Sequence, residues 1–500
     1  MGTSTFRPIP NNVIYNVFAN CDDTYRNLAD SPFLGGSDVN SGATNKQLSN
    51  CTFNIISPKN NFNTKGTLHI IGHGSRMYKK LSWAMKFDKK FLGRRAMKLR
   101  ALANDPTLIR EKLAIELYKA VGVPVQEGTY ARLVINGDVY GLYSLTDSFS
   151  RRWLGAYVHG DEDKEIGFSY KMYTHPPQYP DFRYLGEDYH EYTNIYVPDE
   201  YEEMDINPDV EASKYNRIIE FTRLFDNWVK NYGNDMSDIA IQELETFLNI
   251  ESLIRLLVID TLILALDNFW IRMSNAAIYY NPDKNKYQII PYDFDRALYG
   301  SIGDTILDLE EKGYLFDCFT WAFQHEELID HFFTKNILNH PQIKQRYDVV
   351  LAKTSRETFN SYYVSNYIQS VADLIREDVQ WNFESINNLQ IGYSAGIVNR
   401  YTLEEFESNR GYGHVGYDRL VHANDAEFGL QEYVDIRSNS CKSYTKYIDL
   451  SFNENISDKE EVPEFHPDTK GESSLAFSIK ASFLFIIIQF IFFFQFFYIK

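Results

Sequence analysis

Cysteine is scarce: the four residues Cys21, Cys51, Cys318 and Cys441 form no C-x-x-C pair and have no histidine at zinc-finger spacing, which argues against a structural zinc site. No H-E-x-x-H, G-x-S-x-G or G-x-x-x-x-G-K-[ST] occurs, so zincin, α/β-hydrolase and P-loop chemistry have no foothold. Basic charge is also short. Fifty Lys and Arg stand against 68 Asp and Glu, a net charge of −18, whereas nucleic-acid binders need a basic excess to neutralise phosphate. The N-terminus MGTSTFRPIPNNV has no apolar core segment, so no signal peptide is visible, and Phe6 in the sixth position does not support N-myristoylation.

What is present is a foldable chain with a marked end. Hydrophobic residues make up 44% and aromatics 15%, too many for a disordered protein. Ala481 to Ile499, ASFLFIIIQFIFFFQFFYI, carries no charge and is long enough to span a bilayer. Small residues Gly471, Ser473 and Ser474 and a short spacer precede it. That layout is expected of a glycolipid (GPI) anchor signal, with a tail-anchored membrane helix as the alternative. Asn50-Cys51-Thr52 and Asn455-Ile456-Ser457 fit the N-glycosylation sequon, and two disulfides are open to the four cysteines; both agree with a secretory route to the cell surface.

Along the chain, residues 1–64 read as a β-rich lead-in of short strands among Asn- and Ser-rich turns. From Gly66 the pattern sharpens. Leu81, Trp83, Met85 and Phe87 alternate with Ser82, Ala84, Lys86 and Asp88, and Met97, Leu99 and Ala101 oppose Lys98 and Arg100, so two strands are predicted here. The stretch Lys86 to Arg100 holds seven basic residues and one Asp, which suits a phosphate-bearing ligand or a solvated hairpin surface. Asp105 and Pro106 start a helix that Gly122 and Pro124 end. Ile109, Leu113, Leu117 and Ala120 share its apolar face, with Glu116 at the edge and Glu111 pointing away. A hairpin about Asn136-Gly137 follows. After an acidic, Tyr-rich insertion at 173–209 with an exposed look, the chain turns mainly helical. The segment 250–266 is apolar nearly all round but holds Glu251, Arg255 and Asp260, so it is expected as a buried core helix and not a membrane span. A further hairpin through Asn281-Pro282-Asp283 leads to IIPYDFDR.

That octapeptide runs an apolar strand into two carboxylates. In extended chain Asp293 and Asp295 share one side and Tyr292 and Phe294 the other, which presents paired oxygens to a cation; a strand end followed by a turn is the plainer reading. A strand-rich half, a helical half and carboxylates at the loop ends between them make the layout of a phosphoryl-transfer cleft. Such a cleft needs a Lys on phosphate, a carboxylate holding that Lys, carboxylates on Mg²⁺ and an Asp at the attacking hydroxyl. Lys98 and Glu116 are candidates for the ion pair, Asp267 and Asn275 lie in the loop after the buried helix, and Asp293 and Asp295 close the hairpin. Each also has a plainer use, Glu116 as a local partner of Lys112 or Lys119.

Six ordered pieces carry a resemblance: IIGHGSRMYKKLSWAMKFDKK, NDPTLIREKLAIELYKAVGVP, ARLVINGDVYGLYSLTDSFSRRWL, LDNFWIRMSNAAIYYNP, IIPYDFDRALYG and GLQEYVDIRSNSCKSYT. Over about residues 65–450 the chain resembles the spore coat protein H (CotH) family of atypical, protein-kinase-like enzymes. The resemblance implies an α+β, two-lobed fold with a small β-rich N-lobe at 65–150, carrying one helix, and a larger, mainly helical C-lobe at 151–450. A spacer at 451–474 and the anchor signal at 475–500 complete the expected organisation. It implies transfer of the γ-phosphoryl of ATP, with Mg²⁺ or Mn²⁺, to Ser or Thr of secreted or surface proteins. Asp267 would stand near the acceptor hydroxyl, Asp293 with Asp295 and Asn275 at the metal, and Gly72, Gly74, Ser75, Arg76, Lys86 and Lys98 at ATP. No G-x-G-x-x-G and no H-R-D are present, so the ATP-facing lysine is open between Lys98 and Lys86 and the helix carboxylate between Glu116 and Glu111. Some fungal members are glycolipid-anchored proteins that bind host-cell receptors, which makes adhesion on a kinase-like scaffold the competing expectation.

Overall fold

Period-two alternation builds the N-terminal half. The computed structural model describes residues 6–457 apart from 31, 33–46, 73, 176, 202–206, 208–209, 299–312, 320–328, 390–395, 417–427 and 452–453. Seven strands run there: β1 (Ile14–Cys21), β2 (Ser49–Ser57), β3 (Asn60–Ile71), β4 (Ser82–Phe91), β5 (Arg94–Arg100), β6 (Gly128–Ile135) and β7 (Asp138–Asp147). They close into a barrel in the order β1-β2-β3-β4-β5-β7-β6, with β1 parallel to β6 at the seam and the other pairs antiparallel. Trp83, Met85, Phe87, Met97 and Leu99 fill the interior, and closure leaves no open sheet edge. Lys86, Lys98 and Arg100, one position out of phase, stand on the outer face. A helix, α1 (Thr24–Asp30), covers the interior with Tyr25, Leu28 and Ala29.

Within the segment 1–64, expected as a β-rich lead-in, β1 and β2 are therefore barrel wall. A disulfide joins Cys21 to Cys51, directly opposite each other on β1 and β2. The architecture is mixed α+β; a seven-stranded closed barrel is more than the small β-rich lobe expected, because the early strands pair with β3 and β6.

The second half is organised by one buried helix and a small sheet. The sheet runs β11-β10-β8-β9, all antiparallel, from β8 (Phe168–Met172), β9 (Tyr196–Tyr201), β10 (Ala276–Asn281) and β11 (Lys286–Pro291). Between these elements come α2 (Arg110–Ala120), α3 (Arg151–Val158), α4 (Asn216–Tyr232), α5 (Asp238–Glu245), α6 (Ile250–Ile263) and the short α7 (Phe269–Arg272). Then follow α8 (Gly313–Phe316), α9 (Phe332–Asn339), α10 (Pro341–Lys353), α11 (Ser361–Asn388), α12 (Leu403–Asn409) and α13 (Leu430–Tyr444). Every residue of α6 is buried; Asn249 caps it through Ser252 N–H at 3.0 Å, and left-handed Leu264 (φ 42°) ends it. Its Glu251 is matched by Arg255 at 2.9 Å and Arg346 at 2.7 Å, as a buried carboxylate requires. Among the described residues no helix is long and apolar enough to cross a membrane. The spacer beyond 457 and the hydrophobic segment 475–500 lie outside the described residues.

The exposed look expected of the insertion is corrected. The insertion 173–209 supplies β9 and sends Phe182, Tyr192, Ile195 and Tyr196 into the helical core, so this aromatic run is largely packing. The sequon at Asn455 is used structurally: Asn455 Oδ1 accepts from Arg255 at 3.3 Å and Arg346 at 3.2 Å, and buried Ser457 donates to Glu245 at 2.6 Å. Asn50 is exposed, its carboxamide donating to Asp22 at 2.9 Å. The other two cysteines, Cys318 and Cys441, are also joined, so none is free.

The barrel is fastened to the helices through α11. Arg132 of β6 makes a bidentate pair with Asp378 at 2.5 and 2.9 Å, and Asn382 Oδ1 accepts from Leu142 N–H at 2.9 Å and Lys80 Nζ at 2.7 Å. Gly141 (φ 92°) is needed at this crossing, since a Cβ there would lie 2.6 Å from Asn382 Oδ1.

Candidate functional site

The outer face of β5 looks toward the loops that leave α6 and β11. Arg100, last residue of β5, donates Nε to Glu111 of α2 at 2.9 Å and Nη2 to Asp293. The expected pair of Lys98 with Glu116 does not form. Glu116 is held by Lys112 at 3.3 Å on its own helix, and Glu111 is the carboxylate that faces the cleft. The reason lies in burial: α2 is covered on nearly every side, Arg110, Glu111 and Lys112 included, so its apolar positions do not mark a single inner face.

Asp293 and Asp295 come together, but not by the extended geometry expected. β11 ends at Pro291 and Asp293 takes a left-handed conformation (φ 60°), a strained setting for a non-glycine residue that the surroundings must impose. Tyr292 N–H still bonds to Asn275 O at 2.9 Å, and Phe294 stacks on Tyr118 of α2 with ring centroids 4.9 Å apart. Tyr118 in turn donates to Asp260 of α6, whose other oxygen accepts from Trp270 N–H at 3.0 Å. Burial pushes Asp260 up to about 7.

Asp267 lies in the loop between α6 and α7, as expected. Asn275 Nδ2 donates to the Asp267 carbonyl at 2.9 Å and to its carboxylate at 3.0 Å. Asn268, fully buried, donates Nδ2 to the carbonyls of Asn275 (3.3 Å), Tyr292 (2.9 Å) and Asp293 (3.2 Å), tying the two loops together.

The charges interact strongly. Burial pushes Asp295 up to about 7, reinforced by the Asp293 carboxylate beside it. Burial acts on Asp293 the same way, but the Arg100 guanidinium, its hydrogen bond and the Lys98 charge outweigh it and hold Asp293 below the usual range. Asp267 is raised by burial, against Arg296 and Arg272. Lys98 is pushed down to about 8 by burial, then by Lys171 and Arg100. Among the described residues Lys98 has no hydrogen-bond or ion-pair partner.

The remaining expected ATP residues behave differently. Arg76 is buried and its guanidinium is spent on the carbonyls of Gly72 (2.7 Å), Pro32 (3.0 Å) and Ile70 (3.3 Å), so it braces its own loop. Gly72 (φ 89°) and Gly74 are exposed and Ser75 half-buried at the β3–β4 turn; among the described residues no hydrogen bond links them to the acidic group. Lys86 is exposed on β4, where its charge is felt by His69 and Glu200. Sequence reasoning passed over Arg100, Asn268, Lys171 and Asp199. Strand alternation had already put Arg100 on the face of Lys98, whereas Lys171 and Asp199 gave no signal, since β8 and β9 were not foreseen.

Hard oxygen donors from Asp293, Asp295 and Asn275 fit Mg²⁺ or Mn²⁺, which take one or two carboxylates and leave their other positions to water and phosphate. Among the described residues no three His, Cys, Asp or Glu side chains are grouped so as to hold a metal ion by themselves.

The chain is 25% identical over 365 residues to Invasin CotH2 of Rhizopus delemar, covering 71% of this chain and 55% of that protein. It is 24% identical over 399 residues to Spore coat protein homolog 1 of the same organism, 78% of this chain and 58% of that one. A 64-residue stretch, 13% of the chain, is 38% identical to the Inner spore coat protein H-like protein of Bacillus subtilis, covering 21% of that protein. The chain thus spans little more than half the length of the Rhizopus relatives. The family described as CotH kinase protein matches residues 68–412, well over half of the sequence, and the chain belongs to that family.

Proposed function

We propose that this chain transfers the γ-phosphoryl group of ATP to Ser or Thr hydroxyls of proteins on the secretory route or at the cell surface. The observation that carries the reading is the junction at Arg100, which joins the barrel (β5), the helix carboxylate Glu111 and the loop carboxylate Asp293 in one group. Family membership supports it, and the two disulfides support an oxidising compartment. In this reading Lys98 and Arg100 neutralise phosphate oxygens, and Asp267, oriented by Asn275, accepts a hydrogen bond from the acceptor hydroxyl and takes its proton. Asp293, Asp295 and Asn275 hold the divalent cation, which when bound neutralises phosphate charge. Catalysis is then mainly positioning and charge neutralisation.

The test is labelled γ-phosphate transfer from ATP with Mg²⁺ or Mn²⁺ by the full chain, beside Asp293→Ala. Incorporation into the protein itself or a Ser-rich acceptor, lost in a folded mutant, supports the reading; equal incorporation by the mutant overturns the assignment. A second reading, adhesion to host-cell receptors, is favoured by the name invasin of two Rhizopus relatives. Binding of the protein to host-cell surfaces, unchanged by Asp293→Ala, would support adhesion, and absence of binding would remove it.

A further inference from the structure

Lys171 presents a second cation to this site from the other sheet. In β8 it lies opposite Ala277 of β10 and Val197 of β9, and its strand neighbours Tyr170 and Met172 point the other way into the helical core. Its Nζ donates to Asp199 of β9 at 2.6 Å, with 29% of the lysine side chain and 19% of the aspartate still exposed. Ala277, its partner on β10, packs in one cluster with Phe149, which follows β7, and with Tyr292, which precedes Asp293, so this part of the small sheet borders both the barrel and the acidic loop. Lys98 of β5 stands close enough that Lys171 is the first neighbouring charge to weigh on it, ahead of Arg100.

We propose that Lys171 is a phosphate-binding residue of the site, so that a nucleotide polyphosphate is gripped between Lys98 of the barrel and Lys171 of the small sheet, with Asp199 holding Lys171 in place before the ligand arrives. The inference rests on the phosphoryl-transfer reading and adds a residue to it. Among the described residues Lys98 is hydrogen-bonded to no carboxylate, and the Lys171 and Arg100 charges weigh on it more than those of Asp293 and Asp199 do. A polyanion entering between these cations relieves their repulsion. Lysines act on phosphate as mobile point charges, which suits a pair reaching in from opposite walls. An ion pair serving only to join β8 to β9 would instead leave Lys171 with no role in ligand affinity.

The test measures binding by titration calorimetry of the full chain, with Mg²⁺-ATP and with inorganic tripolyphosphate as separate probes. Lys171→Ala is expected to weaken both by about tenfold or more, Lys171→Arg to recover most of the loss, and Asp199→Asn to bind as tightly as wild type or more so. Wild type that binds with Lys171→Ala unchanged overturns this inference and leaves the proposed function standing. Wild type that binds neither probe overturns both. Should Lys171→Ala not fold, the Arg and Asn variants decide: affinity lost in Lys171→Arg to the same extent as in Asp199→Asn marks a structural pair and sinks the proposal.

Discussion

Arg100 reaches across 193 positions of sequence to Asp293 while its Nε holds Glu111 at 2.9 Å, so one guanidinium sets the spacing of a barrel strand, a core helix and the loop after the last hairpin. Glu111 is raised by burial, partly offset by Arg100, so it depends on that partner to stay charged.

Removing either partner should therefore hurt both fold and site. Arg100→Ala leaves a buried carboxylate unpaired and is expected to cost about 3 kcal/mol of stability. Glu111→Gln keeps a hydrogen-bond acceptor and should cost less, yet it lets Arg100 swing and should lower phosphoryl transfer about 100-fold. Chemical denaturation and a transfer assay on the same preparations check both. Glu116→Gln serves as a contrast: among the described residues Glu116 forms its ion pair with Lys112 on the same helix, and transfer should be unchanged.

Asn268 is the tie between the Asp267 and Asp293 loops. Asn268→Ala removes the bonds donated to Tyr292 O and Asp293 O and one of two to Asn275 O, which keeps Tyr292 N–H, for an expected loss of about 2–3 kcal/mol. Asn268→Asp should be worse, because an ionised carboxylate would face the same three oxygens. Thermal unfolding that ranks wild type above Ala and Ala above Asp would agree; an Asp variant as stable as wild type would contradict this role.

Asp260 should make stability fall as pH rises through the acidic range. Its folded value is about 7 against 3.8 for the free side chain, so between these limits the folded protein holds a proton that the unfolded chain has released. A raised carboxyl favours the fold at low pH and loses that advantage on the way to neutrality, at about 1.4 kcal/mol per pH unit for one proton. Comparing unfolding free energies from pH 4 to 7 in wild type and Asp260→Asn isolates the group: the variant should lack that one-proton slope.

Barrel closure predicts where the chain can be trimmed. A version starting at residue 60 loses β1 and β2, exposing edges on β3 and β6 and opening the interior around Trp83 and Phe87. It should be insoluble or aggregate, whereas one starting at residue 6 should fold. Soluble, cooperative unfolding of the shorter version would show that the barrel does not need its first two strands.

Much of this was legible from residue order alone. Alternation in β4 and β5 puts Trp83, Met85, Met97 and Leu99 inside and Lys98 and Arg100 outside, because a pleated strand leaves each side chain only two directions. An apolar run with isolated charges reads as the buried helix α6, and the spacing of Asp267, Asn275, Asp293 and Asp295 about a hairpin foretells that these groups gather at one end of it. Tertiary structure alone decided the rest. Glu111 rather than Glu116 faces the cleft because α2 is packed on nearly every side, so periodicity carries no information about which face matters. Asp293 meets Asp295 through a left-handed residue that no strand pattern predicts. β1 closes on β6, and β8 on β10, across more than a hundred residues in each case, and such pairing follows from which edges remain open after local strands have formed. Local pattern specifies which way a side chain points; only the assembled sheets and core determine what it meets there.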